Sequence, residues 1–266
     1  MTAHHPVIFV GAGPGDPELI TVKGQKALAR ADLVLYAGSL VSPAVLGWAN
    51  PAAELVDTAK LNLAEICARL MAGYRDGQRV VRVHSGDPAL FGAIQEQLEI
   101  LEREEVPCEV IPGVSAAFAA AAALAQELTL PEVTQTVILT RAAGRTPVPE
   151  GEALHDLARH RATLVIYLSI KLIDAVVAEL TPAYGPSTPV VVAYRVSWPD
   201  QRLIRGTLGT IAGLVKASGI ERQALILVGP VLAAREVELT ARSKLYDESF
   251  THGFRESQKN REKNEK

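Results

Sequence analysis

Short apolar runs, each closed by a glycine- or proline-rich loop, set the rhythm of the first half of the chain. Residues 6–10 (PVIFV) empty into GAGPGDP, a pattern that predicts a buried strand leading into a loop. Thr21 is placed to cap a following helix, Ala27, Leu28 and Ala31 suit its packed face, and residues 33–36 (LVLY) read as the next strand. The alternation continues with a helix around residues 63–72, a strand at 79–84, a helix around 94–103 and a strand at 108–111. Strands and helices alternating at this spacing predict an α/β layer with largely parallel strands.

After Pro112-Gly113 the rhythm changes. An Ala-rich helix comes first, followed by apolar segments at residues 137–139, 164–168, 190–194 and 225–228. A further strand at 202–208 leaves a turn at Ser197-Trp198-Pro199-Asp200, where Pro and Asp favour reversal. These predict a second α/β domain, so the chain is expected to divide into 1–115, 116–240 and a C-terminal extension over 241–266. From Arg255 onward RESQKNREKNEK has no apolar residue and is expected to be a solvated, disordered tail.

Composition narrows the function classes. The 27 basic residues nearly balance the 30 acidic ones, a net charge of -3, so no global field draws in nucleic acid. Cys67 and Cys108 lie far apart without CxxC spacing, which opposes a disulfide scaffold or zinc knuckle and fits a reducing cytoplasm; both thiols are expected to be buried and inert. The longest apolar run, residues 116–125, is about half of what a bilayer-spanning helix needs, and no signal-like segment opens the chain. A protein that is neither exported nor membrane-bound is expected.

Three loops carry candidate chemistry. Gly11-x-Gly13 after a strand invites a dinucleotide reading, but Asp16 stands where the fingerprint needs a third glycine, and Asp32 precedes the second strand rather than ending it. The GK[ST] ending of a phosphate-binding loop is also missing. The loop is either a tight strand-to-helix turn or a backbone surface that a ligand can approach, held rigid by Pro14 and Pro17. The second loop, SGDPALFG, also follows an apolar strand, and two such loops at parallel-strand ends face one crevice. Asp87 can receive a ligand hydroxyl or ammonium group, or cap a helix beginning near Pro88. The third turn, PGVSA, offers Ser115 as a helix cap or as close contact for a flat ligand. His84 ends a strand beside the second loop, placed either to touch substrate or to pack. His155 and His160, in HDLARH, do not have HExxH spacing, and no metal site is expected.

GAGPGDPELIT, SGDPALFG, IPGVSAAFAAAA, TLVIYLS and LILVGPV occur in an order that resembles the tetrapyrrole methylases, over about residues 6–235. The stretches LYAGSLV, VHSGDP, the segment from Leu130 to Pro149, and YRVSWPD are similar to the branch that acts on corrin precursors, as are SKLYD and FTHGF near the end. The resemblance implies two α/β domains with a site between them for S-adenosyl-L-methionine, and methyl transfer to C11 of precorrin-4 or cobalt-precorrin-4 in cobalamin biosynthesis by a homodimer. Another corrin-ring position is a neighbouring possibility. An RNA methyltransferase or a dinucleotide-dependent oxidoreductase are the competing classes.

The family's cofactor contacts carry over to Pro14, Ser85, Gly86, Asp87, Leu90, Ser115 and Ala116, to Leu168 on the adenine side, and to Val196 and Ala224 as backbone contacts. The substrate bears many carboxylates, so the resemblance makes Arg141, Arg145, Lys171 and Arg195 candidates for orienting it. Members of the family carry an acidic residue after the Tyr of the second strand; here Ala37-Gly38 follows Tyr36, and no catalytic base is assigned.

Overall fold

In the computed structural model, which describes residues 5–234 and 249–255, the expected strands and helices form in order. The first half runs β1 (Val7–Gly11), α1 (Val22–Leu28), β2 (Leu33–Tyr36), α2 (Pro43–Leu46), β3 (Glu54–Asp57), α3 (Leu63–Arg75), β4 (Val80–His84), α4 (Gln95–Arg103), β5 (Cys108–Ile111) and α5 (Ala116–Leu124). Its sheet has the order β3-β2-β4-β1-β5, and every pairing in it is parallel.

Burial on both faces explains why these strands read as continuous apolar runs rather than alternating ones. Val7, Phe9, Leu33, Leu35 and Val80 pack with Ile66 and Leu70 of α3 and Leu101 of α4. Val10, Val34, Val81 and Val83 face the other way and pack with Leu28 of α1 and Val45 of α2. The chain therefore leaves β1 toward one face and its neighbour β4 toward the other. Loops that part in this way open a crevice at the carboxyl ends of the strands.

Local signals start the helices that leave the crevice. Thr21 accepts a hydrogen bond from Gly24 N, as expected of a cap, and Ser115 accepts one from Ala117 N at the head of the Ala-rich α5. That helix stops where Ala125 turns left-handed, with φ 48°. Helix α2 and strand β3 are additions to the pattern read from the sequence. Strand β3 is a four-residue edge strand whose Glu54 and Leu55 are exposed, and such a strand carries little apolar signal.

The second half contains β6 (Val137–Arg141), α6 (Leu154–Leu157), β7 (Thr163–Tyr167), α7 (Ile173–Tyr184), β8 (Pro189–Tyr194), β9 (Arg202–Thr207), α8 (Ile211–Ser218) and β10 (Ala224–Val228). Its sheet has the order β6-β7-β10-β8-β9, with β6 parallel and β10 antiparallel to β7. The chain divides into two compact units. The first takes the chain through Ala125 together with Ala193–Leu203 and Glu221–Leu225; the second takes Gln126–Val192, Ile204–Ile220 and the chain from Ile226.

Cys67 is buried on α3, but Cys108 is exposed, which corrects the expectation of two buried thiols. It is the first residue of edge strand β5, where only one neighbouring strand gives cover. The SKLYD segment and the charged tail after Arg255 lie outside the described residues. Among the described residues, no helix is long and apolar enough to cross a membrane, and no group of His, Cys, Asp or Glu could hold a metal ion.

Candidate active site

Three glycines from three loops meet main chain to main chain at the carboxyl edge of the first sheet. A Cβ on Gly11 would lie 2.5 Å from Gly113 N and 2.7 Å from Gly86 O; one on Gly113 would lie 2.2 Å from Gly86 O. No side chain fits there, so these glycines are required by close approach. The first and second loops are also paired, Gly13 N donating to Gly86 O at 3.2 Å and Gly86 N to Gly13 O at 2.8 Å. The two loops therefore lie side by side at the ends of neighbouring parallel strands.

Asp87 ties the second loop to the third. Its Oδ1 accepts from Ala89 N at 2.8 Å and its Oδ2 from Gly113 N at 2.9 Å. No helix begins at Pro88, so the helix-cap alternative for Asp87 is corrected: the carboxylate closes an Asx turn instead. The loop continues through left-handed Phe91 (φ 53°) and Ala93 (φ 47°) before α4 can start. Non-glycine residues in that region cost on the order of 1 kcal/mol each and persist only where their surroundings hold them.

Gly86 is less crowded than the other two glycines: a Cβ there would make ordinary van der Waals contact with Ala116 N at 3.9 Å and with Ser115 Cα and Val114 O at 4.0 Å, all main chain of the third turn. Ser85, Asp87 and Leu90 flank Gly86 in the second loop, and Ser115 with Ala116 of the third turn approach it in space.

Beneath the second loop the sheet edge is dry. His84 is 6% exposed and its ring lies 5.8 Å from that of Phe9, nearly parallel. Burial, with the neighbouring Arg82 charge adding to it, pushes its pKa down to about 3, and a bond to the Gly92 main chain only partly opposes this. His84 is therefore packed against Phe9 with its proton affinity held down. Arg82, also buried, donates to Thr58 Oγ1 at 3.0 Å, and burial lowers its pKa to about 10.

The first loop is held from the turn 195–201, which belongs to the same unit. Trp198 Nε1 donates to Pro14 O at 2.8 Å, and Ser197 Oγ accepts from Asp16 N at 3.0 Å. Val196 and Ala224 are buried between these contacts and Gln223, whose carbonyl accepts from Arg195 N at 2.8 Å.

With this arrangement described, comparison with known proteins is decisive. A model of the tetrapyrrole (corrin/porphyrin) methylases matches residues 6–212. The chain belongs to that family.

Its relatives match nearly end to end. A cobalt-precorrin-4 C(11)-methyltransferase of Methanocaldococcus jannaschii is 50% identical, over 97% of this chain and 99% of the relative. A precorrin-4 C(11)-methyltransferase of Pseudomonas aeruginosa is 53% identical, over 94% and 98%. A solved cobalt precorrin-4 methyltransferase shares the fold with a TM-score of 0.85 at 49% identity, covering 87% of this chain and 98% of that one. A uroporphyrin-III C-methyl transferase of Thermus thermophilus, solved in complex with S-adenosyl homocysteine, gives a TM-score of 0.69 at 31% identity, over 86% and 99%.

Within this methylase, the remaining expected residues, Arg195 apart, are in the second unit. Leu168 follows β7 with φ 55° and 72% of its surface exposed, while Ser169 Oγ beside it accepts from Ala142 N at 2.8 Å and donates to Tyr167 O at 2.6 Å. An exposed leucine forced left-handed is costly backbone for an apolar side chain left in water. Arg141 donates to the carbonyls of Ala142, Thr146 and Pro147, wrapping its own loop around the guanidinium. Arg145 and Lys171 are exposed. Arg195 belongs to the first unit, where it pairs with Asp200 at 2.5 Å and lies 3.9 Å over the Trp198 ring.

Sequence reasoning missed Trp198 and Ser197 as parts of the site. The available signal was a large aromatic in a turn that also contains Pro and Asp, which marks a loop with work beyond reversal.

Proposed function

We propose that this methylase transfers a methyl group from S-adenosyl-L-methionine to C11 of precorrin-4, or of cobalt-precorrin-4, giving precorrin-5 and S-adenosylhomocysteine in cobalamin biosynthesis. The observation that carries the reading is the near-complete alignment, at 50% identity or above, with relatives named for that reaction. The glycine junction supports it, because the loops meet there through main chain, with Ser115 and Ala116 beside Gly86.

When bound, the donor supplies a methyl on a sulfonium sulfur, to be displaced in line by an electron-rich ring carbon. The chain contributes position. Pro14, Ser85, Gly86, Asp87, Leu90, Ser115, Ala116, Leu168, Val196 and Ala224 hold the donor, several of them through main chain. Arg141, Arg145 and Lys171 orient the substrate's carboxylates, and Arg195 joins them or acts on Trp198, as taken up below. Placing two reactants in line supplies much of a displacement's rate. His84 is buried with its pKa held low, and no proton-transfer role is assigned to it.

The same reading makes the enzyme a cytoplasmic homodimer with a small-molecule substrate and no nucleic-acid partner; free cysteines and near-balanced charge support it. Sedimentation checks the dimer. The reaction is tested by anaerobic incubation with methyl-labelled donor and precorrin-4, metal-free and cobalt-loaded in parallel. Label at C11 by NMR is the expected result, with the preferred form assigning the substrate. Transfer to neither form, with donor still bound, overturns the assignment to C11.

A further inference from the structure

The chain has two tryptophans, and both donate their indole N–H to proline carbonyls of the first loop. Trp198 Nε1 reaches Pro14 O at 2.8 Å and Trp48 Nε1 reaches Pro17 O at 3.0 Å, from two segments far apart in sequence. We propose that Trp198, with Trp48 as its counterpart, is a positioning residue of the methyl-donor loop: the two indoles hold that loop in its donor-binding shape. This rests on the reading of the first loop as the donor loop.

Independent features of the turn point the same way. The indole of Trp198 is fitted against Gly15, where a Cβ would lie 2.1 Å from its Cδ1 and Nε1, so the residue beside Pro14 must be glycine for the indole to dock. The Arg195 guanidinium lies 3.9 Å over the ring and is itself held by Asp200. The turn carrying this stack is strained: Arg195 has φ 42° and Ser197 φ 69°, values that non-glycine residues adopt only when held. Ser197 N donates to Gln201 Oε1 at 2.7 Å while its hydroxyl accepts from Asp16 N at 3.0 Å. A turn that only reversed the chain between β8 and β9 would have no reason to retain two left-handed side-chain-bearing residues. Its contacts with the loop hold them.

The geometry also reassigns Arg195. A guanidinium stacked on an indole and paired with a carboxylate is placed to stiffen Trp198 rather than to reach for a substrate carboxylate.

The test is calorimetric titration of S-adenosylhomocysteine into wild-type protein and Trp198→Phe, with steady-state kinetics in donor and substrate. Phe keeps an aromatic face for Arg195 while removing the N–H and part of the ring area. Loss of one hydrogen bond predicts a Kd raised about fivefold, seen in the KM for donor and not in that for precorrin-4. Gly15→Ala, which drives the indole out, should raise the Kd further. In Trp48→Phe, where Trp198 is the single tryptophan, emission should shift when S-adenosylhomocysteine binds. Wild-type affinity in Trp198→Phe, or an equal rise in both KM values, overturns the clamp. Failure of the wild-type protein to bind S-adenosylhomocysteine overturns the donor-loop reading itself.

Discussion

The first and second loops meet at Gly13 and Gly86, yet they are held in opposite ways. The second is held from within: its carboxylate, Asp87, bonds to Ala89 two residues on and to Gly113 of the adjoining turn. The first is held from outside, by Trp198 and Ser197 at 184 and 181 residues' separation. A loop braced by its own carboxylate on the adjoining main chain is set once the sheet forms. A loop braced by remote side chains can be adjusted without touching the sheet, because the hydrogen bonds that shape it lie outside the glycine junction.

The largest effect should come from the junction common to both loops. Gly113→Ala puts a methyl 2.2 Å from Gly86 O and 2.8 Å from the Gly11 main chain, neither of which is a side chain that can swing away. A loss of about 3 kcal/mol in urea unfolding, with donor binding abolished, is expected. Near wild-type stability would show that the loops are looser than this packing implies.

Next, Asp87→Ala removes the internal brace and strands two N–H donors. About 2 kcal/mol of stability should go, and affinity for S-adenosylhomocysteine should fall. Asp87→Asn should recover part of it, since its amide oxygen can still accept one of the two bonds. Unchanged affinity in a folded variant would remove Asp87 from donor binding.

Acid should then attack the second loop through His84, whose ring bonds to Gly92. Its pKa is lowered to about 3, so between that value and the ordinary 6.5 the unfolded chain binds a proton that the folded chain does not. Stability is therefore present in full above pH 6.5 and falls as pH drops through this window, by at most about 1.4 kcal/mol per unit. His84→Asn should flatten that part of the curve measured by urea unfolding. An unchanged slope would mean that other groups govern acid unfolding.

The smallest effect belongs to the external brace. Arg195→Gln removes the stacking charge over Trp198, worth about 0.5–1 kcal/mol. A twofold to fivefold rise confined to the donor KM would sharpen the contrast between the loops, and a rise confined to the precorrin-4 KM would return Arg195 to the substrate.

Much of this was legible in the chain. The strands of the first sheet, the caps Thr21 and Ser115, and the three glycine-rich turns could be read because each depends on neighbours within a few residues. The same reasoning left Asp87 open between helix cap and ligand contact, since Asp-Pro starts helices as well as turns; the cap fails because no helix starts at Pro88, where the chain runs through left-handed residues at 91 and 93. It misjudged Cys108 because an apolar strand gives no sign of being at an edge. It missed β3, where ELVD lacks an apolar run.

Local pattern and composition thus determined the order of elements, the parallel character of the first sheet, and the loops on which a ligand could bind, because backbone propensity and burial of alternating faces act over short distances. Only the tertiary structure decided that Gly11, Gly86 and Gly113 share one point, that His84 is buried, and that Trp198 bonds to the first loop with Arg195 stacked on it. Each of these depends on atoms brought together from distant parts of the chain, and no pattern along the sequence encodes a 2.8 Å bond between residues 14 and 198.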